Sequence, residues 1–379
     1  MTQSALALYV HLPWCIRKCP YCDFNAHPLN NHDRQAPYIQ ALLTDFKTHV
    51  PEDRIISSIF FGGGTPSLFR PQLIQQLLDG IKALVPFKDG LEITLEANPG
   101  AMDQRHLAGY LEAGVNRLSI GVQSFCSSSL KALGRIHNQQ DAHQAMTMAK
   151  QLGYQQINLD IMFALPGQSP QAAIDDLTTA IDYAPQHISW YELTYEKNTL
   201  FYIQKPKRMP DEARFDLWLK GQKLLVQHGY PSYEVSAYAD HDNECQHNKA
   251  VWQYQDYLGI GCGAHSKLSD GQQITRMHRT RHPNAYLKDP TAGSCEQVHP
   301  QDRIFEFMLN RTRLTDGFSA GDFENTTYLP FQSIEPQLLQ AVKHQWMKNM
   351  DQLWTVTKTG RYFLNDLQTL FLPNKGDDR

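Results

Sequence analysis

Cys15, Cys19 and Cys22 stand in the stretch HLPWCIRKCPYCDF, a C-x3-C-x2-C spacing that puts three thiols on one short loop. Thiolates prefer soft metals, and a loop this short can wrap one face of a cuboidal iron–sulfur cluster or supply most of a zinc site. A structural zinc needs a fourth ligand, for which His11 and His27 are candidates. An iron–sulfur electron carrier needs four cysteines, yet Phe24 occupies the position where one more would continue the rhythm. Three thiolates on a cubane leave one iron open, and an open metal position is where a substrate can bind.

The rest of the composition restricts what such a centre serves. Cys126, Cys245, Cys262 and Cys295 are scattered, and a total of seven cysteines is odd for a disulfide framework, so a reducing cytoplasm is expected. With 379 residues, 41% hydrophobic and 20% charged, the chain can bury one large domain plus an appendage. A formal charge of -4 and a pI near 6.5 give no basic field for phosphate backbones, so no nucleic-acid partner is expected. SALALYV lacks a basic leader and runs straight into the cysteines, which reads as a buried strand rather than a signal peptide. No apolar run approaches the roughly 18 residues of a membrane span.

Something must position the thiols. Apolar runs rich in β-branched residues (ALYVHL, IISSIFF, LEITLEA, RLSIGV, INLDIMFAL, HISWYEL) alternate with stretches of helical period. Helix PQLIQQLLDGIKALV starts at Pro71, and DQRHLAGYLEAGV has Asp103 as N-cap and Gly114 near its end. DEARFDLWLKGQKLLVQHGY is a further helix and SYEVSAY a further strand. This alternation predicts an α/β fold, a partial, open (β/α)6 TIM-type barrel. Ligands collect at the carboxyl ends of such strands, where the cysteines, GGGTPS, Glu96, GVQSF, Asp160 and LPGQS all fall. After residue 240 the alternation stops. From about Pro300, helical stretches including EPQLLQAVKHQWMKNMDQLW lead to TVTKTGRYFL, which predicts a smaller helical, winged-helix-like domain with its hairpin at Thr359-Gly360. The expected divisions are 1–238, 239–299 and 300–379, with the tail NKGDDR frayed.

CIRKCPYC followed by GGGTPS resembles the radical S-adenosylmethionine superfamily. With EANP, IGVQSF, Gly134 to His137, NLDIMFALPGQ and the HNKAVW segment, the chain resembles the group containing the oxygen-independent coproporphyrinogen III oxidases and the heme chaperones. The resemblance implies a 4Fe–4S cluster on Cys15, Cys19 and Cys22, whose open iron chelates S-adenosylmethionine. It implies contacts to that cofactor from Tyr9, Tyr21, Gly63, Gly64, Thr65 and Glu96. Gln123, Arg135 and Asp160 match positions that surround a second S-adenosylmethionine in the oxidases.

The oxidases continue their motif to a fourth cysteine, where this chain has Phe24, and carry a longer segment ahead of Tyr9. Both departures match the heme-chaperone branch. There a histidine of an HN-x-x-Tyr/Trp-Trp segment is implicated in heme binding, which implies His247 as heme ligand, with Val251 in place of the usual tyrosine and Trp252 retained. Neutral imidazole is a common axial ligand of heme iron, although a histidine on a polar loop is more often merely solvated. The function this implies is heme carriage to acceptor hemoproteins, membrane-bound respiratory enzymes among them, by a cytoplasmic protein capable of homodimerising. The alternative is radical decarboxylation of coproporphyrinogen.

Overall fold

The computed structural model describes residues 4–29 and 32–373; the NKGDDR tail lies outside them. Strands β1 (Ser4–Leu12), β2 (Arg54–Gly63), β3 (Phe87–Ala97), β4 (Arg117–Gln123), β5 (Gln156–Phe163) and β6 (His187–Glu192) coincide with the six apolar runs and pair in parallel in chain order. A parallel sheet is buried on both faces, which is why these runs are near-continuously apolar.

The crossovers are helical: α1 (Gln35–His49), α2 (Pro71–Lys82), α3 (Gln104–Glu112), α4 (Ser127–Ala132), α5 (Gln139–Gln151), α6 (Pro170–Asp182), α7 (Leu200–Gln204) and α8 (Asp211–Gln227). Their starts are written in the sequence. Pro71 opens α2, Asp103 accepts the His106 N–H at 2.8 Å ahead of α3, and Asn138 with Asp141 forms a capping box on α5. Helix α8 lies against β6 through Gly221, where a Cβ would stand 1.8 Å from the Trp190 ring.

The sheet extends beyond the six strands. At one edge β7 (Ala237–Ala239) runs antiparallel to β6, overlapping only the last two residues of the run SYEVSAY expected as a further strand. On the free side of β1 lies β8 (Tyr257–Ile260), parallel to it and reached through α9 (Gln246–Trp252). Strands β9 (His265–Ser269), β10 (Ile274–Arg279) and β11 (Gly293–Gln297) follow antiparallel, with α10 (Pro283–Lys288) between the last two. The order is β11-β10-β9-β8-β1-β2-β3-β4-β5-β6-β7, an open sheet. The sequence pattern marks no strand between residue 240 and the C-terminal domain, because β9 and β10 are polar and short. Their one local signal is the Asp270-Gly271 turn, in which Gly271 has a φ of +93°.

The C-terminal segment builds a separate apolar core around Phe307, Phe318, Phe323 and Leu338 from α11 (Pro300–Arg311), α12 (Ala320–Thr327) and α13 (Glu335–Lys343). Its hairpin is not at Thr359-Gly360. Helix α13 ends at Lys343, and β12 (Met347–Met350) pairs with β13 (Leu353–Val356) across Asp351-Gln352, both at positive φ as a type I′ turn requires. Thr357 instead caps α14 (Lys358–Tyr362) by accepting the Gly360 N–H. Among the described residues no helix is long and apolar enough to cross a membrane.

Candidate functional site

The cysteine loop leaves β1 and is pinned from both sides. Gly64 N–H donates to Leu12 O (2.8 Å) and Thr65 N–H to Trp14 O (2.8 Å), while Leu29 N–H donates to Cys15 O (2.9 Å). The glycine motif is required for this. A Cβ on Gly64 would meet Trp14 O at 2.6 Å, and Gly63, at φ +119°, faces the His11 ring. The far side of the loop rests on the Gly134–Arg135 corner: Arg17 donates to both carbonyls, and the Arg135 guanidinium stands 4.0 Å from Cys19 Sγ.

All three cysteines are free thiols opening onto one cavity of about 490 Å³ at the carboxyl ends of the strands. Tyr21, Gly64, Thr65 and Glu96 line it from the first strands, Gln123, Arg135 and Asp160 from the later ones. The structure therefore gathers these expected site residues around one space. The zinc alternative loses its fourth ligand here. His11 spends both ring nitrogens, on Tyr9 Oη (3.1 Å) and Asn25 O (3.0 Å), and His27 turns to Asn25 Oδ1 (3.2 Å). Among the described residues no three His, Cys, Asp or Glu side chains converge closely enough to hold one metal ion. Three separated thiols on one cavity wall suit a polynuclear cluster better than a mononuclear site.

The polar groups of this cavity are tuned by burial. Glu96 accepts the Gly63 N–H at 3.2 Å, yet burial, reinforced by nearby Asp160, pushes its carboxyl up to about 8. Such an acid ionises readily only when a cation arrives. Asp160 is likewise raised by burial, although Asn158 Nδ2 (2.8 Å) and Ser119 Oγ (3.2 Å) both donate to it. Gln123 sits at φ +69°, where non-glycine residues are strained, and accepts the Tyr191 hydroxyl at 2.8 Å. Arg135 donates to Gly121 O at 2.7 Å and keeps Nε buried without a partner.

The sequence reading missed the cavity floor. Asn158 Oδ1 accepts from Ser189 Oγ (3.1 Å) and lies 2.6 Å from His187 Nδ1, whose Nε2 meets the Tyr233 hydroxyl at 2.9 Å. Arg117 lines the same floor with Nη2 unpartnered. The available signal was polar residues at alternate positions of buried strands: Arg117 and Ser119, Asn158 and Asp160, His187 and Ser189.

A second cavity, of about 700 Å³, adjoins the first and shares Asp23, Phe24 and Glu96 with it. Tyr9, Gly63 and His247 line this one. His247 is not on a solvated loop but 4% exposed on α9, whose first N–H groups donate to the Glu92 carboxylate (Gln246 at 3.1 Å, His247 at 3.0 Å). Its Nδ1 meets Ser58 Oγ at 3.1 Å, which leaves Nε2 without a protein partner, and burial pushes the imidazole down to about 3, so it is neutral. Tyr9 and Phe60 lie against its ring. Cys245, buried beside Glu92, lines the first cavity and not this one.

Comparison with known proteins gives the family and the fold. The Radical SAM superfamily signature matches residues 9–180, and that of the HemN C-terminal domain residues 298–363. The chain is 43% identical to the heme chaperone HemW of Haemophilus influenzae, over 97% of this chain and 98% of that one. It is 44% identical to the heme chaperone HemW of Escherichia coli, over 97% and 98%. Its fold matches coproporphyrinogen III oxidase (HemN) from Escherichia coli with a TM-score of 0.82 at 20% identity, over 98% of this chain and 91% of that one. The chain belongs to the HemN/HemW group of the radical S-adenosylmethionine superfamily.

Proposed function

We propose that this protein is a heme chaperone that binds heme beside an S-adenosylmethionine site and passes it to acceptor hemoproteins. The observation that carries the reading is His247: a neutral imidazole, held by Ser58 at Nδ1, with Nε2 free at a cavity of about 700 Å³. A fixed Nδ1 bond sets the tautomer and ring orientation that iron ligation by the other nitrogen needs. Relatives named heme chaperone HemW at 43% and 44% identity support it.

In this reading Cys15, Cys19 and Cys22 hold the 4Fe–4S cluster, which supplies one-electron chemistry and an open iron. Tyr21, Gly64 and Thr65, with Tyr9 and Gly63 across the shared wall, shape the S-adenosylmethionine site, and Glu96 receives its ammonium group. Gln123, Arg135 and Asp160 close the far side. Residues 1–238 form the radical core, 239–299 carry the heme ligand, and 300–379 form the accessory domain. Acceptors include membrane-bound respiratory enzymes, the compartment is the reducing cytoplasm, where free cysteines persist, and the working form is a homodimer.

Phe24 separates this reading from porphyrinogen decarboxylation, since it stands where the oxidases place a fourth cysteine. The test is hemin titration of the anaerobically reconstituted protein, with coproporphyrinogen turnover measured on the same sample. The expected result is one heme per chain, a Soret band that moves in His247→Ala, and no decarboxylated product. Sustained turnover would replace the chaperone with the oxidase.

A further inference from the structure

The cavity that holds His247 is polarised. Its inner wall, shared with the S-adenosylmethionine chamber, carries Glu96 on β3 and Asp23 on the cysteine loop. Its other wall carries two arginines and two imidazoles. Arg279 ends β10, Arg281 follows it, and His265 faces His278 across the β9–β10 ladder with ring centroids 5.5 Å apart. Strands β9, β8, β1 and β2 lie between β10 and β3, so the two walls face one another across the width of the cavity, with Tyr9 and His247 between them.

Arg279 supplies an independent observation. It is only 3% exposed, and its Nε lies 2.8 Å from Asp45 Oδ1 in an ion pair too far out of line for a hydrogen bond. Asp45 neutralises it but is itself taken up by the Tyr286 hydroxyl (2.7 Å) and the Gly261 N–H (3.1 Å). Nη2 of Arg279 is left buried with no hydrogen-bond partner. A guanidinium N–H orphaned in a cavity wall carries a large desolvation penalty unless an anion from outside the chain completes it.

We propose that Arg279, Arg281 and the His265–His278 pair form a clamp for the two propionate carboxylates of heme, deepening the heme-carrier reading on which it rests. Heme is an apolar disc with both carboxylates on one edge. The inner wall offers that edge Asp23 and Glu96 and no cation, while the two arginines draw it to the outer one. The guanidinium fork donates two N–H groups to one carboxylate, which no other side chain here does. The clamp fixes the direction of the macrocycle against His247 and places the propionates at the outer rim of the cavity, where Arg281 and His265 are exposed. Release toward an acceptor then begins by breaking the contacts nearest solvent.

The test compares hemin with hemin dimethyl ester, whose propionates are blocked, in matched detergent, on the reconstituted full chain and its Arg281→Gln and His278→Gln variants. The clamp predicts that esterification weakens binding about tenfold or more, that Arg281→Gln weakens hemin by a similar factor but not the ester, and that the Soret maximum stays in place. Arg279→Gln should behave as Arg281→Gln does if it folds, and the exposed Arg281 keeps the test sound if it does not. Equal affinity for hemin and ester, with both variants unchanged, overturns the clamp while leaving the carrier reading intact. No hemin binding by the wild-type chain removes both.

Discussion

The carboxylate of Glu96 accepts the backbone N–H of Gly63 at 3.2 Å while standing in the wall that separates the two cavities. It is thus fixed by the glycine motif on one side and free to meet a cation on the other.

Because burial raises this acid from 4.5 to about 8, the folded chain holds a proton that the unfolded chain has released. Stability of the cluster-free protein contributed by this site therefore falls as pH rises from about 4.5 to about 8. Glu96→Gln should remove that slope and raise the melting temperature at pH 8, while weakening S-adenosylmethionine by about tenfold, the loss of one charge-assisted hydrogen bond. Thermal unfolding against pH, with calorimetric titration of the cofactor, checks both. A variant less stable than wild type at pH 8 would contradict the assignment.

His137 donates its Nε2–H to Val122 O (3.0 Å) and is held neutral by burial, with Arg135 nearby, down to about 4. Its depressed value makes its contribution complete above about 6.5 and lost as pH falls toward 4. His137→Gln, which keeps a donor for Val122 O, should flatten the acid limb of the stability curve by up to about 1.4 kcal/mol per pH unit. Chemical denaturation between those pH values measures it, and an unchanged slope would show that His137 does not titrate on unfolding.

Two glycines separate site from scaffold. Gly64→Ala puts a Cβ 2.6 Å from Trp14 O, in the loop that carries Cys15, and should lower iron content by displacing that loop's backbone. Gly221→Ala drives a Cβ to 1.8 Å from Trp190, far from the thiols, and should destabilise by about 1–3 kcal/mol with cluster chemistry intact. Iron analysis alongside thermal melts distinguishes them; full iron content in Gly64→Ala, or iron loss in a folded Gly221→Ala, would contradict the division.

The sequence displayed most of the parallel sheet because buried strands must be apolar on both faces, and it displayed the cysteine site because soft-metal chemistry admits few residue types. It hid what depends on tertiary context. The β9–β10 ladder is polar and half-exposed, so neither period nor hydrophobicity marks it, and with it went Arg279, Arg281, His265 and His278. The C-terminal turn uses Asp351-Gln352 at positive φ, a pair that advertises no such conformation, while Thr359-Gly360 looked like a turn and proved to be a capped helix. His247 looked solvated because its neighbours in the chain are polar; the Glu92 carboxylate that anchors α9 lies on β3, remote in sequence.

The central claim is that three cysteines hold a cluster whose fourth iron is open to S-adenosylmethionine. Mössbauer and electron paramagnetic resonance spectra of the anaerobically reconstituted protein, recorded before and after adding S-adenosylmethionine, test it directly. The account predicts about four irons per chain and one iron whose signal shifts on addition, with all of it lost in Cys19→Ala. A bound zinc, or a cluster whose every iron ignores the cofactor, would contradict it.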